Sequence, residues 1–250
     1  MEGSNLNDLP KDCFCEIISL TSPSDACSWS LVSRIYRTYA DSNDVWERFL
    51  PSDYKDIIGS NSNTDHPESS KALYVRLSHH PILIDDGNMS FGLEKRSGKK
   101  ILMLGARKLG IIWENNANYW RWISLPESRF TEVAELVEVW WFDVRARLER
   151  RKLSEMTTYG CYLVFKETEQ GWSGFDERPM ELIVGLNKIK YLTWAPTERD
   201  DGWMEIEIGD FFNDDHHRDV AEVEVVVRQT SDYSRKSGII IQGIEFRPKQ

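Results

Sequence analysis

Apolar residues in the first fifty positions recur at helical spacing. Leu9, Cys13 and Ile17 are four apart, as are Phe14 and Ile18, so one broad face is apolar and a helix is expected from about Pro10 to Ser19. Proline suits the first turn, where its missing N–H has no intrahelical partner to lose. Ser22, Pro23 and Asp25 then supply a cap, a first helical residue and an acid three positions after the cap, the signature of a second helix start. A third helix is expected near Leu31, with Leu31, Ile35 and Tyr39 on one stripe. The polar run Asp41-Ser42-Asn43-Asp44 interrupts it, and Val45, Trp46 and Phe49 form a last apolar turn. Three short helices and a tail carry more apolar face than they can cover among themselves, and so small a unit buries little surface alone.

Residues 51–80 break the pattern. Gly59 to Asp65 is polar and turn-prone, His66-Pro67-Glu68-Ser69-Ser70 follows, and Lys71 to Leu77 fits one helix with Leu73 and Leu77 four apart. From about Pro81 the period changes to two. Phe142, Val144, Ala146 and Leu148 alternate with Asp143, Arg145 and Arg147, with Trp140 and Trp141 leading the two registers. Met204, Ile206 and Ile208 alternate with Trp203, Glu205 and Glu207; Val223, Val225 and Val227 alternate with mostly polar neighbours. Tyr159 to Lys166 is apolar on both registers, as a central strand is, and Ile239 to Phe246 closes the series. Many short strands without intervening helices point to an antiparallel β-sandwich rather than a parallel α/β sheet. The expected architecture is α+β, with domains at 1–50 and 81–250 and a linker or transition at 51–80.

Composition narrows the function classes. A formal charge of −10 disfavours general nucleic-acid binding and anionic membrane surfaces. The sequence has no apolar run long enough to span a bilayer, and the polar, acidic N-terminus does not read as a secretory signal. Cys13, Cys15, Cys27 and Cys161 lack zinc-ligand spacing and suit a reduced, cytoplasmic or nuclear protein. Phosphate-binding glycine loops and a nucleophile elbow are absent from the sequence. His79-His80 and His216-His217 are adjacent pairs, poor metal geometry in a strand, and Asp214-Asp215-His216-His217 reads as a solvated turn. Arg145, Arg147, Arg150, Arg151 and Lys152 form a basic cluster that suits an import signal or, better, a solvated strand end. Neither catalytic residues, a metal nor a cofactor is expected.

The aromatic residues are more informative. Ile111 to Trp122 places Trp113, Trp120, Trp122 and Tyr119 around an Asn-rich loop. A sugar presents a flat C–H face to an aromatic ring and hydroxyls to Asn, Glu and Arg, which suits a carbohydrate site. Core packing is the competing reading for each Trp, including Trp141 and Trp203 on otherwise polar registers.

Two family resemblances cover nearly all of the chain outside 51–80. Leu9-Pro10, Ile17-Ile18, Asp25-Ala26, Leu31-Val32-Ser33 and Val45-Trp46-Glu47 fall in the order and spacing of an F-box, with Arg34 where Lys is common. The resemblance implies docking on the Skp adaptor of a cullin-based ubiquitin ligase. Leu9, Pro10, Ile17, Val32 and Trp46 are the candidates for docking or for shaping the helical hook. From about Pro81 onward the chain resembles the phloem-protein-2, or Nictaba-type, lectin domain. The matching segments are Ala106-Arg107-Lys108-Leu109, Ile112-Trp113, Tyr119-Trp120-Arg121-Trp122, Ser128-Arg129-Phe130, Val133-Ala134-Glu135-Leu136, Trp141 to Arg145, Thr157-Thr158-Tyr159, and Gly243 to Pro248. This second resemblance implies a jelly-roll-like sandwich, with N-acetylglucosamine-containing glycans as candidate ligands and Trp113 and Trp120 at the sugar site. Gly92 stands where related F-box proteins often carry Trp, which removes one ring from any platform there. The combination implies a non-catalytic substrate receptor, cytoplasmic or nuclear, whose sandwich holds a target protein or its glycan. A lectin acting outside a ligase is the alternative, and a glycan-cleaving enzyme finds no acid–base pair in the sequence to support it.

Overall fold

The structure, a computed structural model, describes residues 9–59, 69–185, 188–214, 221–231 and 234–249. The pair His216-His217, together with Asp215 and His66, lies outside the described residues. The chain divides into two compact units, Met1–Ile82 with Gly92–Lys100, and Leu83–Phe91 with Ile101–Gln250.

The first unit is helical: α1 (Lys11–Ser19), α2 (Pro23–Ser30), α3 (Arg34–Ala40), α4 (Asn43–Phe49), α5 (Tyr54–Gly59) and α6 (Ser70–His79). Local chemistry sets the boundaries. Ser22 and Asp25 form the reciprocal cap expected of them, Ser22 Oγ accepting from Asp25 N at 3.1 Å while Ser22 N donates to Asp25 Oδ2 at 3.2 Å. Ser33 caps α3 by accepting from Tyr36 N, so Leu31 and Val32 lie in the turn before α3 rather than inside it. The apolar tail at Val45–Phe49 is a fourth helix. Residues 51–80, expected as a linker or transition, contain α5 and α6 and fall within this unit.

Rings fill its core. Phe14 stacks on Tyr36 at 4.6 Å, with Trp29 edge-on to both. Trp46 meets Phe49 and Tyr74 edge-on. The Tyr74 hydroxyl donates to the carbonyls of Glu94 and Lys95, which ties the 92–100 segment to the side of α6. Burial, with the nearby Glu94 charge, pushes that phenol well above its ordinary range. Gly98 is required here: φ is +71°, and a Cβ would lie 2.7 Å from the Phe49 carbonyl oxygen. Gly92 is buried too, and a Cβ there would meet the Leu77 carbonyl at 3.1 Å and Pro81 Cγ at 3.3 Å. That position faces helix packing, not a solvent platform.

The second unit is an antiparallel sandwich. Its strands begin with β1 (Ile82–Ile84), β2 (Met89–Leu93), β3 (Lys100–Gly105), β4 (Gly110–Ile111), β5 (Trp120–Ile123), β6 (Val133–Leu136) and β7 (Phe142–Glu149). They continue as β8 (Thr157–Glu167), β9 (Met180–Val184), β10 (Lys188–Leu192), β11 (Thr197–Glu198), β12 (Met204–Asn213), β13 (Glu222–Gln229) and β14 (Ile239–Pro248). Among the described residues, the larger sheet runs β1-β2-β3-β14-β8-β12-β11, with β6 joining β14 to β5; the smaller runs β10-β9-β13-β7-β4. A register shift in β14 falls at Gly243, where a Cβ would lie 2.1 Å from the Leu104 carbonyl oxygen, so no other residue fits.

A chain of rings links the sheets: Trp120 to Phe142 at 6.3 Å, Phe142 to Phe175 at 5.2 Å, Phe175 to Trp194 at 4.3 Å and Trp194 to Phe165 at 4.8 Å. The other face of the larger sheet is also covered, by Met103, Phe130, Val133, Val164, Trp203 and Ile240. That second layer explains why β8 is apolar on both registers and why Trp203 sits on a polar one. Trp203 is core, its Nε1–H donating to the Glu127 carbonyl.

Candidate functional site

The helical unit turns five aliphatic side chains outward: Ile17, Leu20, Leu31, Val32 and Ile35, with exposures from 48% at Ile17 to 78% at Leu31. The local reason is plain in α1. Phe14 and Ile18 lie on its buried stripe, so Ile17 is turned the other way. Leu31 and Val32 occupy the α2–α3 turn, where both are exposed. Pro10, just ahead of α1, is exposed and Leu9 is half-buried. Each such side chain is worth about 1.5–3 kcal/mol when fully buried, so together they favour a dry protein contact over water.

Trp46 is not on that face. It is 2% exposed, and its Nε1–H donates to the Ala40 carbonyl at 2.8 Å. As a docking candidate it is corrected to a residue that shapes the unit from within. Leu20, Leu31 and Ile35 are exposed instead. Helical periodicity missed them as surface because it places Leu31, Ile35 and Tyr39 on one stripe, while the cap at Ser33 divides Leu31 from the other two.

In the sandwich, the Asn-rich loop follows β4, which pairs with β7 at Ile111↔Val144. Trp113 takes φ +58°, a left-handed backbone that a bulky residue rarely adopts. Backbone bonds Asn116 N→Trp113 O, Tyr119 N→Asn116 O and Trp120 N→Asn116 O tighten the loop, and Asn116 Oδ1 accepts from Asn118 N. The result separates the two candidate rings. Trp113 is 47% exposed with Tyr119 5.2 Å away, whereas Trp120 is 2% exposed, with its Nε1–H donating to the Ile112 carbonyl. Trp120 therefore offers no face to a ligand, because β5 pairing with β6 turns it toward Phe142. Trp122 is likewise occupied, with the Arg107 guanidinium 3.6 Å over its ring. Trp140 and Trp141 are exposed just ahead of β7.

Charge on the outer layer of the larger sheet is internally balanced. Arg199, Arg247 and Arg129 face Asp201, Glu205 and Glu245, with Arg199 Nη1 to Glu205 Oε2 at 2.6 Å and Arg247 Nη1 to the same oxygen at 2.7 Å. Burial raises the Glu205 carboxyl, but hydrogen bonds and charge from Arg247 and Arg199 outweigh it and hold the group below its ordinary value. Three cations against three anions make this a structural clasp rather than a site for further charge. The basic cluster at the end of β7 is similarly paired: Arg145 with Asp143, Arg147 with Glu224, Arg151 with Glu149. Among the described residues no group of three or more His, Cys, Asp or Glu could hold a metal ion. No described helix is long and apolar enough to cross a membrane.

Known proteins resemble this chain in both units. A family model described as F-box domain matches residues 6–48, and one described as phloem protein 2 matches residues 99–248. Putative F-box protein PP2-B12 of Arabidopsis thaliana is 44% identical, covering 98% of this chain and 99% of its own. From the same plant, F-box protein PP2-B10 is 41% identical, covering 99% of this chain and 95% of its own. F-box protein SKIP3 is 37% identical, covering 98% and 89%. Among solved structures, the carbohydrate-binding module TmCBM27 aligns with 60% of this chain at 12% identity and a TM-score of 0.31, too remote to bear on function.

Proposed function

This chain belongs to the plant F-box proteins that carry a phloem protein 2 domain, and from that premise we propose that it is a substrate receptor of an adaptor–cullin ubiquitin ligase. The carrying observation is the outward aliphatic face of the helical unit, Ile17, Leu20, Leu31, Val32 and Ile35. In this reading the face docks on the Skp-type adaptor, and the sandwich holds the target. The receptor makes and breaks no bond itself. It raises the effective concentration of target lysines near the charged conjugating enzyme, which is where a ligase of this kind gains its rate.

The test is co-elution of the full chain with a Skp-type adaptor. Leu31→Asp with Val32→Asp places two charges in a contact that must desolvate them, and is expected to abolish co-elution while leaving the fold intact, because both side chains are exposed. Undiminished co-elution of that variant, or none by the folded wild-type chain, sinks the reading.

For the target, a glycoprotein recognised through its sugar is the finer proposal. Support comes from Trp113, an exposed ring held by a left-handed backbone with Tyr119 beside it. A glycan array probed with the full chain and with Trp113→Ala is the check. An empty array leaves recognition to the protein surface of the sandwich.

A further inference from the structure

The edges of the two sheets differ in length. Among the described residues, β4 and β11 end their sheets with two residues each and β1 with three. β5, where the Arg107 guanidinium lies over Trp122, has four. β10 ends the smaller sheet with five, and among the described residues it pairs with β9 on one side and with no strand on the other. An edge strand carries a row of backbone N–H and C=O groups that can pair with an added chain, and natural proteins shorten, charge or cover such edges.

The two registers of β10 define what such a chain must carry. Ile189 and Tyr191 lie on one register, opposite Ile183 and Glu181 of β9, and are 55% and 67% exposed. Ile183 in turn opposes Val226 of β13, so an apolar row, Val226–Ile183–Ile189, runs out to the edge and ends in water. Lys190 lies on the other register, opposite Leu182, which is buried in the core. The lysine therefore stands on the core side of the edge. It is exposed, with no carboxylate paired to it among the described residues. An inward lysine at an edge repels a like-charged strand and penalises an apolar one, which would desolvate its charge. It favours a strand with a carboxylate directly opposite. A second copy of β10 fails this condition. The antiparallel pairing that sets Ile189 against Tyr191 sets Lys190 against Lys190, like charges directly opposite.

We propose that the free edge of β10 takes up an extended segment of the target protein by strand addition. That segment presents an acidic residue opposite Lys190, between apolar residues opposite Ile189 and Tyr191. Backbone bonds to the edge hold it, and the apolar–acid–apolar triplet sets its register. The proposal rests on the receptor reading only in naming the segment as the target's. It uses neither the adaptor face nor the sugar stacking proposed for Trp113.

The experiment titrates the full chain with short fluorescent peptides whose central triplet is Val-Glu-Val, Val-Lys-Val or Ser-Glu-Ser in one Ser- and Gln-rich frame, and reads anisotropy. Val-Glu-Val is expected to bind about tenfold more tightly than Val-Lys-Val, and about threefold more tightly than Ser-Glu-Ser. Lys190→Glu is expected to reverse the first preference, and Tyr191→Ser to weaken Val-Glu-Val about threefold. Both side chains are exposed, so unchanged melting curves are expected of both variants. Two forms of the Val-Glu-Val peptide, N-methylated at alternate positions on one edge or the other, test the backbone ladder: one is expected to lose binding and the other to keep it. Equal binding of the three peptides, no binding of any, an unchanged preference in folded Lys190→Glu, or equal behaviour of the two N-methylated forms overturns the proposal. So does a dimer of the chain alone, seen in sedimentation, that Tyr191→Ser disperses, since the edge would then belong to a second copy. Lys190→Glu is expected to keep both co-elution with the adaptor and any glycan signal, so this proposal fails separately from those.

Discussion

Both units of this chain leave large apolar side chains in water, and the kinds differ. On the helical unit they are aliphatic: Ile17, Leu20, Leu31, Val32, Ile35 and, on α6, Val75. On the sandwich most are aromatic: Trp113, Trp140, Trp141, Tyr191 and Phe212, with Met156 and Ile189 beside them. An aliphatic side chain has no polar atom to keep in water, so a cluster of them favours complete burial in a protein contact. Trp and Tyr have a flat apolar face and a polar edge, and they tolerate a wet, partial contact such as stacking. The proposed division of labour, attachment by the helical unit and recognition by the sandwich, follows that difference.

The comparison holds only if the exposed residues are surface and the buried ones core. The largest test is therefore the pair Trp46→Ala and Trp120→Ala, one ring from each unit and both 2% exposed. Each is expected to cost about 3–5 kcal/mol in chemical denaturation, as large-to-small core changes do. Little loss from either would put that ring back among the recognition residues. Next is Glu205→Gln, which leaves the partly buried Arg247 and Arg199 short of a carboxylate and is expected to destabilise by about 3 kcal/mol near neutral pH. The folded-state carboxyl of Glu205 lies below its ordinary 4.5, so its contribution is full above that pH and fades as pH falls through the lowered value. Wild type and variant should therefore converge in stability on acidification below 4.5, with the arginines charged throughout. A gap that stayed constant into strong acid would show that the clasp is not the cause.

What was legible in the sequence follows from how far each decision reaches along the chain. The Ser22-Pro23-Asp25 start is settled within four residues, and the helix begins there. The alternation of Phe142, Val144, Ala146 and Leu148 needs only the strand's own pleat, and all four are buried in β7. The fold class was readable from such local patterns. The side on which a Trp lies was not, because that is settled by distant segments. Trp203 is buried because Phe130 and Ile240 form a second layer over its polar-register face, and Trp120 because Phe142 stands across the sandwich. Trp113 shares their chemistry but sits where the backbone turns left-handed, which periodicity cannot register.

Two smaller effects sharpen the contrast. Gly92→Ala is expected to cost about 1–2 kcal/mol in thermal or chemical unfolding, because a Cβ would press on the Leu77 carbonyl and on Pro81. A neutral result would reopen position 92 as a surface.

The smallest stability effect is expected at Trp113→Gly, where the change in function should be largest. Glycine relieves a left-handed backbone that costs an ordinary residue about 1–2 kcal/mol, and gives back about 0.5–1 kcal/mol through greater freedom in the unfolded chain. Little packing is lost, since the ring is nearly half exposed and its close partner is Tyr119 alone among the described ring contacts. The variant should melt within about 0.5 kcal/mol of wild type, consistent with a surface substitution. If Trp113 is a stacking platform, the same variant loses its glycan signal without losing its fold. A large destabilisation would instead make Trp113 a structural clamp for its loop, and the exposed aromatics of the sandwich would then lose their best claim to recognition.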